Sequence, residues 1–173
     1  FPTRRSSDLA ELVDRMAMRV RDPKTNHLHL LLAADWAPRS HEISFGHDIE
    51  FSWLLAEATE VLGDPALIAR MRPISVDVAR VTQDQGFAPD GGLYNEAGPK
   101  GLTDASKHWW PQAESTVGFL NAYQLTGEPE FLRVALRSWN FIETQIVDRE
   151  HGEWFWARDP QGRVMERMPK VIP

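Results

Sequence analysis

The chain has 173 residues, is 42% hydrophobic and 25% charged, and carries a formal net charge of -6, which is the composition of an ordinary folded domain and excludes disordered and collagen-like classes. No apolar run of roughly 18 residues and no signal-peptide pattern occurs, so a cytoplasmic protein is expected. Cysteine is absent, which excludes disulfides and thiolate chemistry, and acidic charge without Lys/Arg clusters points away from nucleic acid and toward a small neutral partner.

Residues 1–8 show no helical or strand period and read as a non-native leader, which leaves residues 9–173 as the domain. Residues 12–20 have helical spacing. After a turn at 22–26, Leu28, Leu30 and Leu32 alternate as an extended element that also carries His27 and His29. Two His without a carboxylate pattern are a weak metal signal, and neither metal nor cofactor is expected. Trp36 follows as a candidate rim aromatic.

Phe51, Leu54, Leu55, Ala58 and Leu62 mark one buried helical face. Extended backwards, that face passes through Glu50 and His47, three residues apart and within hydrogen-bond reach of each other. A helix N-terminus disfavours imidazolium, which suits His47 as a neutral general base, with Glu50 fixing its tautomer. A helix that merely satisfies its first-turn donors would look the same. Gly63-Asp64-Pro65 then ends one helix and opens another through residue 81. Residues 91–96 form a turn bearing Tyr94 and Glu96, the latter a candidate rim carboxylate.

The string Lys107-His108-Trp109-Trp110-Pro111-Gln112-Ala113-Glu114 enters the next helix. Trp110 and Glu114 share a face, an indole plate beside a carboxylate, as a sugar's C–H face and hydroxyls require, with Gln112 a further hydrogen-bonding neighbour. Trp109 stands beside Trp110 as a second candidate plate, and the alternative is that Trp109 and Trp110 are packing plugs, which is expected of one of the two. Gly127-Glu128-Pro129 repeats the Gly-acid-Pro break, a helix follows to residue 147, and Gly152-Glu153-Trp154-Phe155-Trp156 repeats the rim segment. Helical hairpins in tandem imply an all-α ring or solenoid with short β elements on one rim, here part of an α/α barrel. Residues 168–173 end on a short apolar run that reads as an interruption.

The strings Asp22-Pro-Lys-Thr-Asn-His27-Leu, Asp35-Trp36-Ala-Pro-Arg39-Ser40, Phe45-Gly-His-Asp-Ile-Glu50 with Trp53-Leu-Leu55, and Trp109-Trp-Pro-Gln-Ala-Glu114 resemble the cellobiose 2-epimerases of the N-acylglucosamine 2-epimerase superfamily from about residue 9 onward. The resemblance implies an (α/α)6 barrel, no cofactor and a pocket for the reducing-end sugar. It also implies that His47 is one of two acid/base histidines, with Glu50 as its hydrogen-bonded neighbour and Trp110 against the sugar. Trp109, Glu114, Trp36 and Glu96 complete the expected binding set. The second histidine is expected in a Trp-Lys-x-Pro-Tyr-His string beyond residue 173, and a further His and an Arg before residue 9. The expected parent is therefore a monomeric sugar epimerase of which this piece alone is incomplete and inactive. Aldose–ketose isomerase, N-acylglucosamine 2-epimerase and a non-catalytic sugar-binding repeat stand as alternatives.

Overall fold

A computed structural model describes residues 4–165, with side chains from residue 7. The terminal run at 168–173 lies outside the described residues. Among the described residues five helices dominate: α1 (Arg4–Arg15), α2 (Phe45–Leu62), α3 (Pro65–Gly86), α4 (Trp109–Thr126) and α5 (Pro129–Phe141). The last turns after α1 and α5 widen into π-helical Met16–Val20 and Ile142–Ile146, at matching places in the repeat.

Both Gly-acid-Pro breaks work as expected. Gly63 (φ 67) and Gly127 (φ 73) take the left-handed conformation that ends α2 and α4. Asp64 caps α3 by accepting from the N–H of Ala66 at 2.9 Å. Glu128 occupies the equivalent place without a cap bond and instead takes a hydrogen bond from Arg80 Nη2 at 2.9 Å.

Two three-stranded antiparallel sheets repeat one topology. In the first, β1 (Ile43–Ser44) pairs with β2 (Glu96–Gly98), which pairs with β3 (Gly101–Asp104). In the second, β4 (Lys107–His108) pairs with β5 (Ala157–Arg158), which pairs with β6 (Val164–Met165). In both, the strand leading into a first helix pairs with a strand that follows the second helix of the same hairpin. The sheets therefore gather at the N-termini of α2 and α4.

The α2–α3 and α4–α5 hairpins pack side by side through α2 and α4. One core joins Phe45, Ile49, Leu93, Phe119 and Phe131, with Phe119 and Phe131 stacked at 6.2 Å; a second joins Val13, Leu28, Phe51, Leu55 and Met71 on the α1 side. The approach of α2 to α4 depends on absent side chains. A Cβ on Gly46 would lie 2.5 Å from Trp110 Cη2, and one on Gly118 would lie 2.5 Å from Ile49 Cγ1 and 2.9 Å from Ile49 O.

Three sequence expectations change. Residues 4–8 are part of α1, because a helix nucleated further along propagates backwards through residues none of which breaks it. α3 continues past residue 81 to Gly86 and accommodates Pro73 on its exposed side. Residues 28–32 form no strand: the left-handed Asn26 (φ 64) and Trp36 (φ 68) fold the segment into two tight turns closed by the bridges Arg21↔Leu28 and Leu32↔Pro38.

Because the clash at Gly118 is with backbone as well as side chain, Gly118→Ala is expected to lower stability by about 1–3 kcal/mol in urea unfolding, the range of overpacking. An unchanged midpoint would mean that the two helices are not held at this distance.

Candidate functional site

The N-termini of α2 and α4 meet beneath the first sheet, and the expected residues sort themselves around that junction. His47, in the first turn of α2, is exposed on a cleft of about 340 Å³ whose walls include Leu12, Met16, Leu28, Glu50 and Leu54. Its ring is fixed on two sides. Trp110 meets it edge-on, centroids 4.9 Å apart at 63°, and its Nδ1 is 2.7 Å from Ser44 Oγ. Nε2 makes no hydrogen bond among the described residues.

This geometry corrects the pairing expected within α2. Glu50 lines the same cleft but does not hydrogen-bond His47; the Ser44 hydroxyl, just before the helix, meets Nδ1 instead. Burial pushes the Glu50 carboxyl above its ordinary pKa, the negative charge of Glu114 adds to the shift, and His47 opposes it. Glu114, from α4, accepts a hydrogen bond from Trp53 Nε1 at 2.8 Å. The junction thus gathers His47 and Glu50 from α2 with Trp110 and Glu114 from α4. Trp53 belongs with them as the donor that holds Glu114, which i, i+3 spacing from Glu50 could have signalled.

The other expected residues lie elsewhere. Trp109 turns away from Trp110 and packs edge-on against Trp154, centroids 6.2 Å apart, in a separate open cleft of about 690 Å³ with Phe155, Trp156 and Val164. Trp36 lies over the Arg15 guanidinium at the end of α1. Glu96 is half-buried in β2 opposite Ser44. Gln112 is unavailable to a ligand: its amide is buried, accepting from Leu93 N at 2.7 Å and donating to Leu93 O at 2.9 Å. His108, just before α4, stands edge-on to Trp156; burial lowers its pKa, against the opposing charges of Asp104 and Glu96.

Sequence reasoning missed a buried polar pair. Asp48 (1% exposed) and His27 (4% exposed) join through Asp48 Oδ2 and His27 Nδ1 at 2.7 Å, while Asp48 Oδ1 accepts from Leu28 N at 2.9 Å and Gln85 Oε1 lies 3.3 Å from His27 Nε2. Burial pulls the imidazolium down, but the hydrogen bond and charge of Asp48 outweigh it and leave His27 above its ordinary pKa. The available signal was Asp48 itself, on the inward side of a helix where an unpartnered carboxylate is not tolerated. Among the described residues no three His or carboxylate side chains come together as a metal site, and no helix is long and apolar enough to cross a membrane.

Comparison with known proteins bears on this junction. The profile of the N-acylglucosamine 2-epimerase (GlcNAc 2-epimerase) family matches residues 7–171. A cellobiose 2-epimerase of Bacteroides fragilis is 38% identical over 155 residues, which are 89% of this chain and 39% of that protein. The human N-acylglucosamine 2-epimerase is 32% identical over 126 residues, 69% of this chain and 29% of its own length. A crystal structure of a sugar epimerase from a ruminal bacterium superposes with a TM-score of 0.88 at 34% identity, covering 92% of this chain and 41% of that one. The cellobiose 2-epimerase structures are (α/α)6 barrels, and the chain has the fold of part of one. It spans about two fifths of the length of the cellobiose 2-epimerases it matches.

Asp48→Ala leaves His27 and the Leu28 N–H without their acceptor, and is expected to cost about 3–5 kcal/mol in urea unfolding, the range for breaking a buried pair. Because the folded His27 pKa is raised, its contribution is complete below the unfolded value of about 6.5 and fades as pH climbs through the folded value. Unfolding followed from pH 6 to 9 should show that loss in the wild type, and His27→Gln should remove this component.

Proposed function

The chain belongs to the N-acylglucosamine 2-epimerase family, and from that premise we propose that it is the portion of a sugar 2-epimerase that supplies one of two acid/base groups and part of the sugar-binding wall. The observation that carries this reading is His47: an exposed imidazole clamped by Ser44 and Trp110, with Nε2 free of hydrogen bonds among the described residues, on a cleft that Glu50 also lines.

In the proposed reaction the reducing-end sugar binds in its open-chain form with C2 near His47. Nε2 takes the C2 proton, the electrons of the broken C–H bond form a C1=C2 double bond, and the aldehyde oxygen becomes the oxygen of an enediolate. Reprotonation of C2 from the opposite face by a second acid inverts the centre, and His47 returns its proton in the reverse direction. A single positioned acid or base contributes about 10²- to 10⁴-fold, so both faces need one; the second group belongs to the part of the relatives' length that this chain does not span. Trp110 offers an apolar plate, and Glu114, held by Trp53, accepts from sugar hydroxyls. Glu50, whose carboxyl pKa is raised by burial and by the charge of Glu114, lines the same cleft and faces the sugar's oxygens. Catalytic roles go to His47 and Glu50, and binding roles to Trp110 and Glu114. Trp109, Trp36 and Glu96 would act further along the rim, if an oligosaccharide extends there.

The substrate class is a reducing disaccharide such as cellobiose, converted to its 4-O-glucosyl-mannose epimer without a cofactor. The whole protein would act as a cytoplasmic monomer. Return of the proton to C1 instead of C2 would make it an aldose–ketose isomerase, and an N-acyl substituent at C2 would make it the N-acylglucosamine enzyme.

The test uses the full-length gene product incubated with cellobiose in D₂O and followed by proton NMR. Deuterium should enter C2 as the 2-epimer accumulates, and His47→Asn should slow both by about 10²- to 10⁴-fold. Ketose formation would select the isomerase. Exchange untouched by His47→Asn would remove His47 from the chemistry.

A further inference from the structure

We infer that Ser44 is the residue that sets the tautomer of His47, and that it does so at the expense of capping its own helix. The inference rests on the acid/base reading of His47. Ser44 occupies the N-cap of α2 with extended backbone angles (φ -112, ψ 109), where a serine hydroxyl ordinarily accepts from the N–H two or three residues on. It makes no such bond. Its Oγ lies instead 2.7 Å from His47 Nδ1, and at 3% exposure the side chain is shut off from solvent. A helix start that gives up its stabilising hydrogen bond to an exposed imidazole breaks a local rule, and such breaks mark functional positions.

The chemistry of the contact explains the exchange. Neutral imidazole in water favours the tautomer with its proton on Nε2, in which form the nitrogen facing the cleft has no lone pair and cannot take a proton. A serine hydroxyl can accept from Nδ1–H or donate to a bare Nδ1; the acid/base reading of His47 requires the first, which places the proton on Nδ1 and leaves the Nε2 lone pair directed at the substrate. When Nε2 receives the C2 proton, Nδ1–H keeps the same acceptor, so the ring need not turn during the reaction. A neutral hydroxyl also orients the ring without adding the charge of a carboxylate, which would hold the imidazolium and resist return of the proton.

Ser44 is itself held in place by residues far along the chain. It pairs with Glu96 in the β1–β2 ladder, and the next residue's N–H reaches Asn95 O at 3.3 Å. Asn95 in turn donates through Nδ2 to Asp104 Oδ2 at 2.9 Å and through its backbone to Ser106 O at 3.0 Å. The hydroxyl is therefore supported from outside α2, and the Trp110 edge blocks the ring from swinging away.

The experiment labels histidine with ¹⁵N in the full-length gene product and reads the His47 tautomer from long-range ¹H–¹⁵N correlations, assigned by loss in His47→Asn. The wild type should hold the proton on Nδ1. Ser44→Ala should move it toward Nε2 and lower kcat about tenfold with KM little changed, and Ser44→Thr, which keeps the hydroxyl, should restore both. If Ser44→Ala does not fold, Ser44→Gly removes the same hydroxyl while remaining an acceptable N-cap. A tautomer unmoved in the Ala or Gly variant overturns the inference whatever happens to the rate. A tautomer that moves in a protein without epimerase activity upholds the inference about Ser44 and overturns the proposed function alone.

Discussion

The separation of α2 and α4 governs the rest of this structure. Where their first turns cross, Gly46 leaves room for the Trp110 indole, and one helical stretch further on Gly118 leaves room for Ile49. A side chain at either place would meet its neighbour at 2.5 Å and force the two helices apart. A small gap between them forfeits a substantial part of the contact energy of the atoms facing it. It would also separate His47 from Trp110, and the Trp53 indole N–H from Glu114. The junction is thus built by two helices whose mutual distance is fixed by missing side chains rather than by a loop that folds over it.

Loops nevertheless form the rim, and three buried polar groups, on α2, on α4 and on β4, fasten parts of it. Asp48 on α2 holds the 21–29 turn through His27 and the Leu28 N–H. Gln112 on α4 pairs with both backbone groups of Leu93, as a strand neighbour would. Lys107, buried against Tyr94 and Phe141, reaches Asp90 Oδ2 at 2.8 Å. Buried polar groups contribute little net stability over well-packed apolar ones, yet losing one partner is costly. Their effect here is to specify one position for each of these rim segments. Leu28, held this way, is a wall of the cleft that contains His47.

Much of this was legible in the residues. The two Gly-acid-Pro breaks fix both hairpins because Gly63 and Gly127 need the left-handed region and proline needs a helix start, which are local constraints that tertiary contacts do not override. The face carrying His47 and Glu50 followed from periodicity. What could not be read was partner choice. Spacing places Glu50 within reach of His47, but nothing local reveals that β1 delivers Ser44 to Nδ1, since that strand is positioned by β2 some fifty residues later. His27 and His29 look like a matched pair on an alternating segment; two left-handed residues, Asn26 and Trp36, turn it into coils, and only then does His27 meet Asp48. Trp109 and Trp110 are adjacent in sequence yet serve different clefts, because successive positions on a helix diverge by about 100°.

Paired carboxylates at a cleft are also the apparatus of glycoside hydrolysis, in which one acts as acid and the other as nucleophile or base. Asp48 and Glu50 cannot fill those roles, since Asp48 is spent on His27. Glu50 and Glu114 come from neighbouring helices and are close enough for the charge of one to raise the pKa of the other. What distinguishes the arrangement is the division of labour that the surroundings impose. Glu114 is anchored as an acceptor by the Trp53 indole, burial and the Glu114 charge raise the Glu50 pKa, and the imidazole between Ser44 and Trp110 keeps its Nε2 free of hydrogen bonds among the described residues. A hydrolase needs its strongest base or nucleophile to be a carboxylate aimed at the anomeric carbon. The imidazole base proposed for this site, beside one carboxylate held by a hydrogen bond and another raised in pKa, suits moving a proton on and off carbon instead.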